Sequence, residues 1–496
     1  MLMRWWNIVT VRDYTVIFHD TISSGLPHPI GLPGPGTNEI WTGGSGDDTH
    51  NGTNTADTLD GAAGNDTING LGGPDVIYGG IGNDSLYGGN GNDTVHAGSG
   101  TDPVVDAGAG NDTIVIDSAG GVISNLVGGD GIDTVDATAV AAFWQIDARS
   151  GIEHWILSNF GETFTGDSID ETWDARGGND VIDAAGGDDT MYGGVGNYTL
   201  TGNVGDDQIY GGDDDDSLVG DAGADTLDGG NGNDTIYYSF ATGAVRVNLA
   251  TGVASGADGH DMITNVESVV GSGFNDTITG NAAGNQISGL VGDDVLDGAG
   301  GVDWVYYNQT NGDVAVNLLA GSASGALGND TLRRIENIVS GGGNDTLTGS
   351  NGANTIYGGN GNDTIDARKG DDFLIGDAGN DTLTPGGGLD TLYGGAGADV
   401  FKFGALAPGN IPDNFIEDLD SSDQIDLSGI DANVIHGGNQ AFRMVGHLNG
   451  HAAQAVLLYD SPSNQTFLVM DTDGDGNANF RVVMPGDHTS FTNIIL

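Results

Sequence analysis

The sequence predicts an all-β solenoid in place of a row of layered globular domains, and three observations predict it. Glycine fills 91 of the 496 positions and only 37% of residues are hydrophobic, too few for an ordinary layered core of this length. No stretch shows the 3.6-residue apolar periodicity of a capped helix. A nonapeptide with Asp in its sixth place and a branched aliphatic in its eighth recurs along most of the chain, a register that disordered low-complexity sequences do not hold.

Charge narrows the function classes. Against 71 acidic side chains stand 12 basic ones, for a formal charge of -59. Such a surface repels phosphates, which excludes nucleic acid held by a basic patch and disfavours an anionic membrane, so the cationic partner is small. No segment approaches 18 consecutive apolar residues, so no transmembrane segment is expected. With no cysteine there is no disulfide framework, thiolate metal site or thiol nucleophile, and another staple is required.

The register can be read directly. From Gly79 the chain runs GGIGNDSLY and then GGNGNDTVH; from Gly229 it runs GGNGNDTIY, and from Gly358 GGNGNDTID. Steps of nine from Gly43 place Asp48, Asp57, Asp66, Asp75, Asp84, Asp93 and Asp102 in the sixth position, and Asp112 follows after a one-residue slip. Two residues on stand Leu59, Ile68, Ile77, Leu86, Val95, Val104 and Ile114, with His50 as a defective first member. A second block carries Asp180, Asp189, Asp207, Asp216, Asp225 and Asp234, with Glu162, Glu171 and Tyr198 in the Asp place of degenerate units. A third, shorter block has Asp276, Asp294 and Asp303, with Asn285 in the Asp place. The fourth has Asp345, Asp363, Asp372, Asp381, Asp390 and Asp399, with Asn354 as its exception. About 29 units result, counting an isolated one at Gly128 to Asp136.

Residue chemistry gives one unit its shape. Glycines permit positive φ and sharp turns that aim carbonyl oxygens to one side, and the Asp adds a carboxylate there. The next three residues, such as Ser85-Leu86-Tyr87, make a short strand with its middle side chain inward. Many hard oxygen ligands in flexible loops suit Ca²⁺ better than Mg²⁺, which keeps its water.

These units resemble the glycine-rich nonapeptide GGxGxDxUx of the RTX (hemolysin-type) calcium-binding proteins across most of residues 43 to 402. The resemblance implies a right-handed parallel β-roll in which two units make a coil of 18 residues and Ca²⁺ sits between one loop and the loop two units further on. Carried onto this chain, Gly80, Gly82 and Asp84 supply ligands from one loop, the glycines by carbonyl and Asp84 by carboxylate. Gly89, Gly91 and Asp93 match likewise, as do Gly230, Gly232 and Asp234, Gly359, Gly361 and Asp363, and Gly395, Gly397 and Asp399. Sites at Tyr198, Asn285 and Asn354 are expected to be weak or absent. Blocks of 8, 9, 4 and 7 units, each with two fewer inter-coil sites than units, hold roughly 20 calcium ions.

The division expected is a segment with a Pro-rich linker (1-42), roll blocks at 43-136, 157-237, 271-306 and 340-402, inserts at 137-156, 238-270 and 307-339, and a C-terminal β region at 403-496. The two later inserts repeat each other, with VRVNL at Val245 answered by VAVNL at Val314. They are expected as β-strands that cover the roll edges. The tail is similar to the C-terminal region of serralysin-type secreted proteins, which implies a cap and an uncleaved signal for the type I secretion machinery. Within it, Asp471, Asp473 and Asp475 occupy positions 1, 3 and 5 of an EF-hand-like loop, but position 12 is Val482, so a calcium hairpin and a plain polar turn both stand. The N-terminus, with Asn7 and Arg12 interrupting its apolar residues, does not read as a signal peptide.

No enzyme signature accompanies the repeats. There is no H-E-x-x-H and no G-x-S-x-G, and His447 and His451 lie four apart in a stretch that does not read as helix. The expectation is a secreted, non-catalytic calcium-binding protein, with two rivals: the export and folding module of a larger hydrolase or toxin, or a surface-layer or adhesive protein. A partner such as a cell-surface glycan or receptor is not named by the sequence.

Overall fold

The computed structural model describes residues 16–19, 37–117, 122–140, 145–146, 149–404, 413–430 and 441–496. Most of the N-terminal segment and its prolines, from Pro27 to Pro35, lie outside them. Among the described residues there is no helix, so none is long and apolar enough to cross a membrane. The strands are short, mostly of three to six residues, because each nonapeptide spends most of its length on the turn.

The chain divides into two compact units, Met1–Thr235 with Asp261–Asn265, and Ile236–His260 with Val266–Leu496. In the first, successive strands on one face pair in parallel 18 residues apart: Thr58–Asp60 sets Leu59 beside Ile77 of Val76–Tyr78, and Ile77 lies beside Val95. The opposite face pairs Ile68 with Leu86 and Leu86 with Val105. Two nonapeptides therefore make one coil of a parallel β-roll. Later coils stretch to fit extra residues, with Ile114 beside Val135 and Val135 beside Trp155, before the 18-residue step returns at Trp155 and Trp173.

The core is one inward side chain per strand. Leu59, Ile68, Ile77, Leu86, Val95 and Ile114 are wholly buried, and their strand neighbours turn outward. One position departs from the expected register. Val105 is the buried residue, not Val104, because the slip falls at Pro103, ahead of this strand and not after it. Residues 137–156 also do more than interrupt. They carry Gln145–Ile146, Arg149–Ser150 and His154–Ile156, each paired in parallel with a roll strand, so they complete a coil without a Gly-Asp loop. At the start of the roll, His50 stacks on Trp41 with ring centroids 4.3 Å apart.

In the second unit the repeated 30-residue segments enter a face of the roll and do not lie over its edges. Val314–Asn317, Ser322–Gly325 and Gly328–Arg333 form an antiparallel meander whose outer strands pair in parallel with roll strands, Val316 beside Leu347 and Leu332 beside Leu296. The equivalent hairpin of Val245–Asn248 and Val253–Gly256 sets Val247 beside Ile278. The alternation of VRVN and VAVN suits a half-buried face strand, which an edge cover would not require. Beyond the repeats, Phe401 pairs with Ile425 and Ile425 with Ile494, while Gln454–Asp460, Gln465–Asp471 and Phe480–Pro485 form an antiparallel sheet that joins the opposite face through Asp413–Ile416.

Candidate metal centres

The loop geometry follows from glycine. Gly82 has φ +148°, and a Cβ there would lie 1.5 Å from the carbonyl oxygen of Gly64 in the preceding coil. Coils stack backbone on backbone at this point, which no side chain permits. The second place of the loop also has positive φ, and it is not always glycine: Ala62, Leu71, Arg176, Ala185, Asn203, Leu290, Ala299, Arg368 and Asp377 all adopt it. Each such residue costs on the order of 1 kcal/mol of backbone strain, so the loop shape is held against local preference.

The sixth-position aspartates form ladders along both edges. The N–H of Asp66 donates to Oδ1 of Asp84 at 2.8 Å, and that of Asp75 to Asp93 at 2.8 Å. The same bond joins Asp189 to Asp207, Asp207 to Asp225, Asp276 to Asp294, Asp345 to Asp363 and Asp363 to Asp381. It continues past the repeats, from Asp390 to Asn414 and from Asp399 to Asp423. A second ladder was not foreseen. In many loops the residue before the Asp bonds in the opposite sense, the N–H of Asn83 to Oδ1 of Asn65 and that of Asn362 to Asn344, and the recurrent Asn-Asp pair was its signal in the sequence.

One oxygen of each ladder carboxylate is thus used, and the other is stranded. Oδ2 of Asp66, Asp75, Asp84, Asp93, Asp112, Asp133, Asp180, Asp189, Asp207, Asp216, Asp225, Asp294, Asp303, Asp363, Asp372, Asp381, Asp390 and Asp399 is buried without a hydrogen-bond partner. A buried carboxylate oxygen in this state calls for a proton or a cation. Burial, joined by the neighbouring carboxylates, pushes the carboxyls of Asp75, Asp189, Asp216, Asp225, Asp294, Asp372 and Asp381 up to about 7, and those of Asp133, Asp207, Asp303 and Asp363 to about 6. The available donors are all oxygen, carboxylate beside loop carbonyl, which fits a hard divalent ion such as Ca²⁺. The carbonyl of Gly80, expected as a ligand, accepts the N–H of Ser99 at 2.7 Å and keeps one lone pair for an ion.

The three exceptions are of two kinds. Tyr198 buries its ring in the Asp place and donates its hydroxyl to the Val195 carbonyl at 3.0 Å. Asn285 and Asn354 point their amide nitrogens at the carbonyls of Glu267 and Glu336. In the tail, Asp471, Asp473 and Asp475 do sit on a hairpin and bring one oxygen each within 4.8 Å of the others, but both oxygens of Asp471 already accept loop N–H groups, from Gly474 at 2.6 Å and Gly476 at 3.0 Å.

A parallel β-roll whose loops carry ladders of half-satisfied aspartates defines a class, the cation-binding roll. The description "RTX calcium-binding nonapeptide repeat" matches this chain at residues 42–77, 69–102, 165–200, 201–236, 270–305, 339–374 and 367–401. The repeats are RTX calcium-binding nonapeptide repeats. Metalloprotease AprA of Pseudomonas entomophila (strain L48) is 33% identical over 98 residues, 19% of this chain and 20% of that protein, so the chain matches only about a fifth of that relative's length. Among solved structures, the AlgE6R3 subunit of the Azotobacter vinelandii mannuronan C5-epimerase is 28% identical, covering 30% of this chain and 76% of that chain with a TM-score of 0.19.

Proposed function

We propose that this chain is a secreted calcium-binding protein whose roll blocks fold when they meet millimolar calcium outside the cell. The observation that carries the reading is the row of buried Oδ2 atoms without partners. Above about pH 7 each is a charge that the ion-free fold must bury, and carboxylates of neighbouring coils repel one another. For a site with Kd of about 10⁻⁴ M, millimolar calcium contributes about 1.4 kcal/mol, so some 20 sites supply near 30 kcal/mol, while submicromolar calcium supplies almost none. The chain then stays extended for export and sets on arrival, and the C-terminal sheet closes the last coils. A calcium titration followed by circular dichroism tests this: a cooperative gain of β signal is expected, and a complete β spectrum in excess chelator overturns the reading.

A second reading, favoured by the partial match to a metalloprotease, makes the chain a non-catalytic calcium-folding module of a larger secreted enzyme. Detection of the mature protein by size in culture medium separates the two. A protein larger than the 50.3 kDa of this chain supports the second.

A further inference from the structure

The loops are of two kinds, and the kinds are not scattered. Where Oδ2 is stranded, the residue four before the Asp has positive φ, as at Ala62 before Asp66, Gly80 before Asp84, Arg176 before Asp180, Leu290 before Asp294 and Arg368 before Asp372. At Gly44, Thr53, Asp167, Ser272, Asn281 and Ser350 the same place lacks positive φ. There the N–H of that residue turns onto its own loop's side chain: Thr53 to Asp57 at 2.6 Å, Ser272 to Asp276 at 2.5 Å, Asn281 to Asn285 at 2.8 Å and Ser350 to Asn354 at 2.7 Å. Gly44 serves Asp48 and Asp167 serves Glu171 in the same way.

Side-chain donors complete the closure. The hydroxyl of Thr53 reaches Asp57, that of Ser272 reaches Asp276 at 2.7 Å, and that of Ser340 reaches Asp345. Indole Nε1 of Trp155 reaches Glu171 at 3.2 Å. At Asn285 and Asn354 the amide nitrogen itself faces a carbonyl of the preceding strand, a donor where a cation would otherwise bridge two oxygens. Glu162 is halfway, with Ser158 on one oxygen and the other buried without a partner.

The closed positions fall at 48 and 57, 171, 276 and 285, and 345 and 354, and together with the half-closed 162 they are the first two nonapeptides of each of the four blocks. We infer that every block opens on one coil whose own side chains in the Asp place bind no calcium, met instead by amide and hydroxyl donors at all but one oxygen of Glu162, and that this coil is the template on which the calcium-dependent coils stack. The inference rests on the reading of the open loops as calcium sites. Position accords with it: the first coil has no Gly-Asp loop before it and faces a partner loop on one side only, and its side chains in the Asp place are met from within or replaced by Asn.

Calcium counts test it. Native mass spectrometry of the full chain in calcium is expected to show no change in bound ions for Asp276→Asn and Asp345→Asn, and a loss of at least one for Asp294→Asn and Asp363→Asn. Ser350→Gly with Asn354→Asp, which restores an open loop, is expected to add one. Anomalous scattering from crystals of the unaltered protein grown with terbium does not depend on any variant, and should place ions bound to the carboxylates of Asp66, Asp84 and Asp363 and none bound to those of Asp57, Asp276 or Asp345. Ion loss in Asp276→Asn, or a terbium ion bound to a carboxylate of the closed loops, overturns the assignment while leaving calcium binding intact. A protein that binds no calcium overturns the reading of the roll, and the assignment with it.

Discussion

The main-chain N–H of Asp363 donates to Oδ1 of Asp381 at 2.7 Å, one coil further along the roll, and the other oxygen of that carboxylate is buried without a hydrogen-bond partner. Each aspartate therefore does two things: it ties down the previous coil and offers a charge to an ion. Replacing both, in Asp363→Ala with Asp381→Ala, removes two adjacent contributors on one edge. The expected loss is about 3 kcal/mol in millimolar calcium, read as a higher calcium midpoint of the β signal. An unchanged midpoint counts against ion binding on this edge.

Much of this arrangement was legible in the residues themselves. Period-two strands placed Leu59, Ile77 and Leu86 inside correctly, because each lies at a fixed distance from an Asp and nothing local competes. The register at Val105 was not legible, since an extra proline shifts the strand without altering its hydropathy. The coil through residues 145–156 was missed for a related reason: it has no Gly-Asp loop, and its pairing partners are set by neighbouring coils. At the metal loops the sequence named the carboxylates but not their state. Nothing in the repeat pattern singles out Ser272 or Ser340, and their hydroxyl bonds to Asp276 and Asp345 emerge only when the loop closes in three dimensions.

Acid is expected to substitute for calcium in part. The raised carboxyls, such as Asp75, Asp225 and Asp381 at about 7, lie above their unfolded value near 4. A group raised in the folded state gives stability that is full below its unfolded pKa and is lost as pH rises through the folded one. In calcium-stripped buffer the β signal should thus grow as pH falls from 8 to 5, and the calcium midpoint should be highest above about pH 7. A signal that is flat or declines on acidification contradicts the burial of these carboxyls.

Backbone stacking at the loops gives a sharper contrast. Gly82→Ala places a Cβ against the Gly64 carbonyl at φ +148°, whereas Gly46 meets nothing within 4 Å and has no positive φ. Gly82→Ala is expected to cost more than about 2 kcal/mol, and Gly46→Ala less than about 0.5. Thermal melts in saturating calcium read the difference as a fall in Tm for the first variant alone. Equal Tm values for the two would mean that the coils are not stacked this closely.

Tyr198 offers a test in the opposite direction, by gain. Its loop, Gly193 to Asn197, keeps the open backbone, with Gly194 at φ +112° and Gly196 at +135°, and its N–H already serves Oδ1 of Asp216. What is missing is the carboxylate, since the phenol fills that space and satisfies the Val195 carbonyl. In Tyr198→Asp the aromatic packing is lost, a cavity cost of about 3 kcal/mol, and a buried charge appears between Asp180 and Asp216. Without calcium the variant should therefore be less stable than the parent. With calcium it should take up one more ion than the parent by native mass spectrometry and recover part of the loss, so that its Tm depends more steeply on calcium. A variant that is destabilised but gains no ion would show that an open backbone and an Asp do not suffice to make a site.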